Sequence, residues 1–160
     1  MLKRTNLHAY QLHALDFIRE KLKCGLFLDM GLGKTATSLT AASDMLNDFQ
    51  VCRVLVIAPL RVANTVWKQE ASKWEHLQHL RIDICTGSAK DRLVKATSKA
   101  DIHVINRENI PWLVENVKWR WDMVIVDESS SFKNMKSRRF KALKKVTKYF
   151  KSIILLTGTP

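Results

Sequence analysis

Six short apolar runs, separated by stretches of helical periodicity, limit this chain to very few folds. They are "GLFLDM" (25–30), "VLVIA" (54–58), "RIDIC" (81–85), "IHVIN" (102–106), "MVIVD" (123–127) and "SIILLT" (152–157). Several are apolar almost throughout, as strands covered on both faces are. Between them, apolar residues recur at helical spacing: Ala63, Val66, Trp67, Ala71 and Trp74 in one segment, Phe140, Leu143, Val146 and Phe150 in another. Strand alternating with helix predicts an α/β domain of three layers, a mostly parallel central sheet with helices on both faces. Ligands of such sheets bind beyond the carboxyl ends of the strands. The residues just after each apolar run are therefore the informative ones.

The 160 residues suffice for one domain with a core of its own and are too few for two large ones. No stretch reads as a linker or an internal repeat, so residues 1–160 are expected to form a single unit. No apolar run approaches the roughly 20 residues of a membrane helix, and no apolar core follows the basic N-terminus as a secretion signal requires. Cys24, Cys52 and Cys85 are odd in number and widely spaced. They predict reduced thiols in a cytoplasmic setting rather than a disulfide frame or a zinc site. His76 and His79 lack a matching pair of ligands, and Trp67, Trp74, Trp112, Trp119 and Trp121 are expected to pack rather than to stack on bases. The net charge of +12 points to a polyanionic partner, and it is local: residues 129–160 hold nine of the 27 bases and none of the 15 acids.

The first informative stretch is "LDMGLGKT", 28–35, which runs into the helical pattern "ATSLTAASDML". Glycines between a strand and a helix let backbone N–H groups converge on an anion, and the helix N-terminus adds partial positive charge. Lys34 supplies a mobile charge for the outer phosphates of a nucleotide, and Thr35 a hydroxyl for Mg²⁺. A glycine usual five residues before Gly33 is missing, since Leu28 stands there, and Gly31 is expected to make the turn. The second stretch is "MVIVDESS", where an apolar run ends in Asp127 and Glu128. Two carboxylates at the end of a buried strand are costly unless they act. Asp127 is expected to hold Mg²⁺ through water, and Glu128 to orient an attacking water and accept its proton.

"LHAYQLHALDFI", "LDMGLGKT", "VLVIAPLRVANTVWKQEASKW", "IHVINRENI", "VIVDESSSFKN" and "LLTGTP" together resemble, in order, the motifs of superfamily-two helicases and translocases. The branch they most resemble is the Swi/Snf-type, duplex-DNA-translocating ATPases. The resemblance spans nearly the whole chain. It implies a RecA-like P-loop fold and ATP with Mg²⁺ as cofactors. Gln11 would read adenine, with Gly31, Gly33, Lys34 and Thr35 holding the phosphates and Asp127 and Glu128 catalytic beside Lys34. Thr157 and Thr159, with Ser130, would couple the phosphate site to DNA movement. Arg61 and Arg107 would meet the nucleic-acid backbone. Two departures stand out. Leu28 and Asp29 occupy positions where this branch usually has two acids, and Ser130 stands where a histidine often couples ATP to DNA. Such enzymes work with two RecA-like lobes, so the expected partners are DNA, duplex rather than single-stranded, and a second lobe in cis or in trans. The 160 residues alone are expected to bind ATP weakly and hydrolyse it poorly. Lys141, Lys144, Lys145 and Lys148, between the acidic motif and the last run, are either a solvated face or a phosphate-backbone contact. Two other readings stay open: a small P-loop kinase, and a non-catalytic basic nucleic-acid-binding module.

Overall fold

Each of the six apolar runs contains a strand in the computed structural model, which describes residues 1–27, 33–132 and 136–157. The strands are β1 (Lys23–Phe27), β2 (Val54–Ala58), β3 (Ile82–Cys85), β4 (Ile102–Asn106), β5 (Met123–Val126) and β6 (Ser152–Thr157). They form one sheet in the order β1-β6-β5-β2-β4-β3, and all five pairings are parallel. The bounds of β2, β4 and β6 coincide with the apolar runs. β1 starts two residues earlier than its run, because Lys23 and Cys24 pair with Ile153 and Ile154 of β6. Residues 28–30 of that run lie outside the described residues.

Alternation along the strands divides the core in two. Val54, Val56, Ala58, Val104, Ile125, Ile154 and Leu156 face one side, where α1 (Ala9–Lys21), α2 (Lys34–Asn47) and α3 (Leu60–Ser72) cover them. Leu55, Ile57, Ile105, Val124 and Val126 face the other, beneath α4 (Ala89–Ala96), α5 (Ile110–Asn116) and α6 (Arg138–Lys144). This is the three-layer arrangement in which parallel sheets hide both faces.

Two helical expectations need correction. The stripe Phe140, Leu143, Val146 and Phe150 does pack on the second face, but not along one helix. α6 ends at Lys144, and a separate 3-10 turn, Thr147–Tyr149, carries the chain back to β6. Val66 was expected in the buried stripe of α3, yet it is exposed, while Ala63, Trp67 and Ala71 are buried. Among the other tryptophans Trp74 and Trp121 are buried, Trp112 and Trp119 pack against the second core, and the Arg92 guanidinium covers the Trp112 ring at 4.5 Å. His76 and His79 share hydrogen bonds with Thr40 and Ser43 of α2, at 2.8 and 3.2 Å. Burial pushes the Cys85 thiol up to about 12, which keeps it protonated and inert.

Candidate nucleotide site

Register brings the informative residues to one edge of the sheet. Phe27, the last residue of β1, pairs with Thr157, and Val126 pairs with both Leu155 and Ile57. The carboxyl ends of β1, β6, β5 and β2 are therefore adjacent. The chain leaves β1 for the first layer of helices and β5 for the second, so the connections part on either side of β6, the kind of switch point in whose crevice ligands of parallel sheets bind.

The connection from β1 enters α2 through Gly33, which caps the helix in the left-handed conformation at φ 70°. The left-handed backbone favours glycine here, and a Cβ would in addition stand 2.5 Å from Nε2 of Gln11 and displace the end of that side chain. Gln11 is buried on α1. Its Nε2 donates to the Gly33 carbonyl (3.4 Å) and to Thr37 Oγ1 (3.2 Å), while its Oε1 accepts from the His8 N–H at 2.8 Å. The glutamine thus ties α1 to the start of α2.

Lys34, the first residue of α2, points its ammonium at Asp127. Nζ lies 3.4 Å from Oδ1, with the lysine half-buried and the carboxylate buried. Asp127 follows directly on β5, and its N–H donates to the Ile57 carbonyl of β2 at 2.7 Å, which pins the residue to the sheet edge. The carboxylate has a second partner, on α3: Trp67 Nε1–H donates to Oδ2 at 3.2 Å. The contact to Lys34 is an ion pair without hydrogen-bond geometry, so Oδ1 is a buried acceptor with no hydrogen-bond partner among the described residues. A buried carboxylate oxygen left with spare acceptor capacity beside a lysine suits a hydrated Mg²⁺, whose waters would supply the missing donors.

The remaining candidates are spread along the same edge. Glu128 is exposed and held at φ 52°, a left-handed backbone uncommon for a residue with a side chain. Ser130 is exposed in the 3-10 turn Ser129–Phe132. Thr35 is half-buried in the first turn of α2, and Thr157 is buried at the end of β6. Gly31 and Thr159, together with Lys133 and Asn134 of the acidic motif, lie outside the described residues. Arg61 is exposed in the first turn of α3, after β2. Arg107 follows β4, the neighbour of β2, with its Nε 3.4 Å from Glu108 Oε1. Burial disfavours the Glu108 charge, but its own backbone amide, Asn106 and Arg107 outweigh it and hold the carboxyl below its usual range.

Lys141, Lys144, Lys145 and Lys148 are all exposed. They sit on the crossover from the carboxyl end of β5 to the amino end of β6, on the outside of the second helical layer. Lys151, at the far end of that crossover, reaches Asp122 at 3.8 Å. The sequence did not reveal the Trp67–Asp127 contact. The two residues are 60 positions apart, and an indole at a buried helical position reads simply as core.

The SNF2-related domain family matches residues 10–160 of the chain. The chain is 37% identical to protein p41 of Acyrthosiphon pisum secondary endosymbiont phage 1, over 92% of its own length and 33% of that protein. It is 31% identical to the CHD3-type chromatin-remodeling factor CHR7 of Arabidopsis thaliana, over 96% of its own length and 14% of that protein. Among solved structures, the Sulfolobus solfataricus SWI2/SNF2 ATPase core in complex with dsDNA superposes with a TM-score of 0.81 at 30% identity, covering 97% of this chain and 32% of that one. The chain thus spans a third or less of the length of these relatives. Fold, motif order and family match agree: the chain belongs to the SNF2-related domain family and has the RecA-like fold of the N-terminal lobe of a Swi/Snf-type, superfamily-two ATPase.

Proposed function

We propose that residues 1–160 form the ATP-binding lobe of a DNA-dependent ATPase that translocates on or remodels duplex DNA. The observation that carries this reading is Lys34, at the start of α2, aimed at the buried Asp127 at the end of β5, 3.4 Å away. An ammonium and a carboxylate at that spacing are ready to part company over a metal-bound triphosphate. Lys34 would move to the outer phosphates, and Asp127 Oδ1 would accept from a water of the Mg²⁺ that Thr35 also holds. The metal, when bound, neutralises charge that develops on the phosphates. Glu128, exposed and directly after Asp127, would orient the attacking water and take its proton. Gln11, buried beside Gly33, would give the preference for adenine. Thr157 and Thr159 with Ser130 would pass the state of the phosphate site to the nucleic acid, which Arg61 and Arg107 meet from neighbouring strands. The complex of the Sulfolobus neighbour with dsDNA supports a duplex as the partner.

Turnover in this scheme needs a second RecA-like lobe, in cis or in trans, to supply an arginine to the transition state. Such a residue is worth about 10³–10⁵ in rate. Phosphate release by the 160-residue chain, with and without duplex DNA, should therefore be slow in both cases. Brisk duplex-stimulated hydrolysis by the monomeric chain would overturn the requirement for a second lobe.

A further inference from the structure

Asp127 is held by two elements that approach it from different directions, and each takes its own oxygen. Lys34 of α2 faces Oδ1 at 3.4 Å, and the Trp67 indole of α3 donates to Oδ2 at 3.2 Å. Trp67 has no exposed surface, and Asp127 almost none. An indole has a single donor and no acceptor, so this ring can be satisfied only by an acceptor placed where Oδ2 lies. An aspartate carboxylate turns freely about its last bond unless something stops it. With Oδ2 fastened to the indole, Oδ1 is the oxygen left facing Lys34. We infer that Trp67 is a positioning residue for the metal site: its indole N–H fixes the Asp127 carboxylate so that Oδ1 is presented to Mg²⁺.

This inference rests on the metal role proposed for Asp127, and it adds a connection. α3 begins at Leu60, directly after β2, and carries Arg61 in its first turn and Trp67 near its middle. One helix therefore carries both the arginine proposed to meet the nucleic-acid backbone and the indole that holds Asp127.

The variant Trp67→Phe deletes the donor together with part of the ring, and because Trp67 is fully buried it also leaves a cavity, so stability must be followed alongside binding. The measurement is ATP affinity of the 160-residue chain as a function of Mg²⁺, with thermal midpoints recorded for both proteins. Loss of a hydrogen bond to a charged group should weaken Mg²⁺-dependent ATP binding about tenfold or more. Binding in EDTA, which depends on Lys34 and the loop, should be unchanged. Equal Mg²⁺ dependence in the two proteins would overturn the role of Trp67 while leaving the nucleotide site intact. Absence of Mg²⁺-ATP binding by the parent would instead sink the site itself. A second measurement does not depend on the variant folding. In the ¹⁵N-labelled parent, one of the five indole N–H resonances should be shielded from solvent exchange and should shift on Asp127→Asn and on adding Mg²⁺ to the ATP-bound chain. If no indole resonance responds to either, the hydrogen bond does not position the carboxylate.

Discussion

At the scale of single residues, the site separates two carboxylates that are neighbours in sequence. Asp127 is buried, ion-paired to Lys34 and hydrogen-bonded to Trp67, whereas Glu128 is exposed on a left-handed backbone. Different surroundings predict different losses. In the protein equipped for turnover, Glu128→Gln should leave Mg²⁺-ATP affinity near the parent value and stop hydrolysis, trapping the bound state. Asp127→Asn should also weaken Mg²⁺-dependent binding, by about tenfold, through loss of a charged contact. Equal weakening by both changes would refute the division of roles. Away from the site, His103 is fully buried on β4, accepting from the Trp121 indole N–H at 3.0 Å and sharing a hydrogen bond with Ser98 at 3.1 Å. Burial, with Arg120 and Arg53 nearby, pushes its pKa from 6.5 down to about 4. A folded-state pKa below the unfolded one means stability that is complete above about pH 6.5 and lost as pH falls towards 4. The thermal midpoint should fall across that interval. His103→Phe should start lower at neutral pH, because the Trp121 N–H loses its acceptor, and should fall less steeply on acidification.

At the scale of elements, the strands were legible and the helix ends were not. β2 and β4 are buried throughout, and their bounds and those of β6 follow the apolar runs residue for residue, although on β6 Ile153 is half-buried and Leu155 exposed. β1 does not, because its start depends on pairing with β6, a partner about 130 positions away. The apolar stripe from Phe140 to Phe150 correctly indicated burial, but the helix breaks at Lys144 because the chain must turn back to enter β6 in parallel. The positions of Lys34 and Asp127 were legible, since the sequence puts each directly beside a recognisable helix or strand, and the sheet brings the two within 3.4 Å. The Trp67 contact had no such signal, because the indole meets Asp127 only once α3 lies over the sheet. The lysines of the β5–β6 crossover remain open between two roles, and element geometry makes the test sharp. Their charges are exposed on the outer layer, away from Lys34, so they can be removed without touching the crevice. If they meet a phosphate backbone, each contact contributes about −0.9 to the slope of log affinity against log salt. Replacing Lys141, Lys144, Lys145 and Lys148 by Gln should flatten the slope for a labelled duplex. An unchanged slope would make this surface a solvated one and leave backbone contact to Arg61 and Arg107.

At the scale of the whole molecule, the parallel sheet works as a frame that brings distant segments to a single edge. Gln11, Gly33, Lys34, Asp127 and Thr157 come from α1, α2 and the ends of β5 and β6, and their mutual positions follow from strand order and register. The SNF2-related family match over residues 10–160 and the overlay on the Sulfolobus core agree with that frame. The proposed function makes one demand above all, that this edge takes Mg²⁺ and ATP. Equilibrium titration of the 160-residue chain with fluorescent ATP tests this most directly, in Mg²⁺, against GTP as competitor, and beside Lys34→Ala. Lys34→Ala leaves the buried Asp127 without its cation, so its thermal midpoint must be recorded to confirm that it is folded. The account predicts saturable Mg²⁺-ATP binding by the parent, weaker competition by GTP, and loss of binding by at least tenfold in folded Lys34→Ala, given roughly 1.5–3 kcal/mol for each hydrogen bond to a charged group. Saturable binding that is indifferent to Lys34, or no binding by the folded parent, would contradict it.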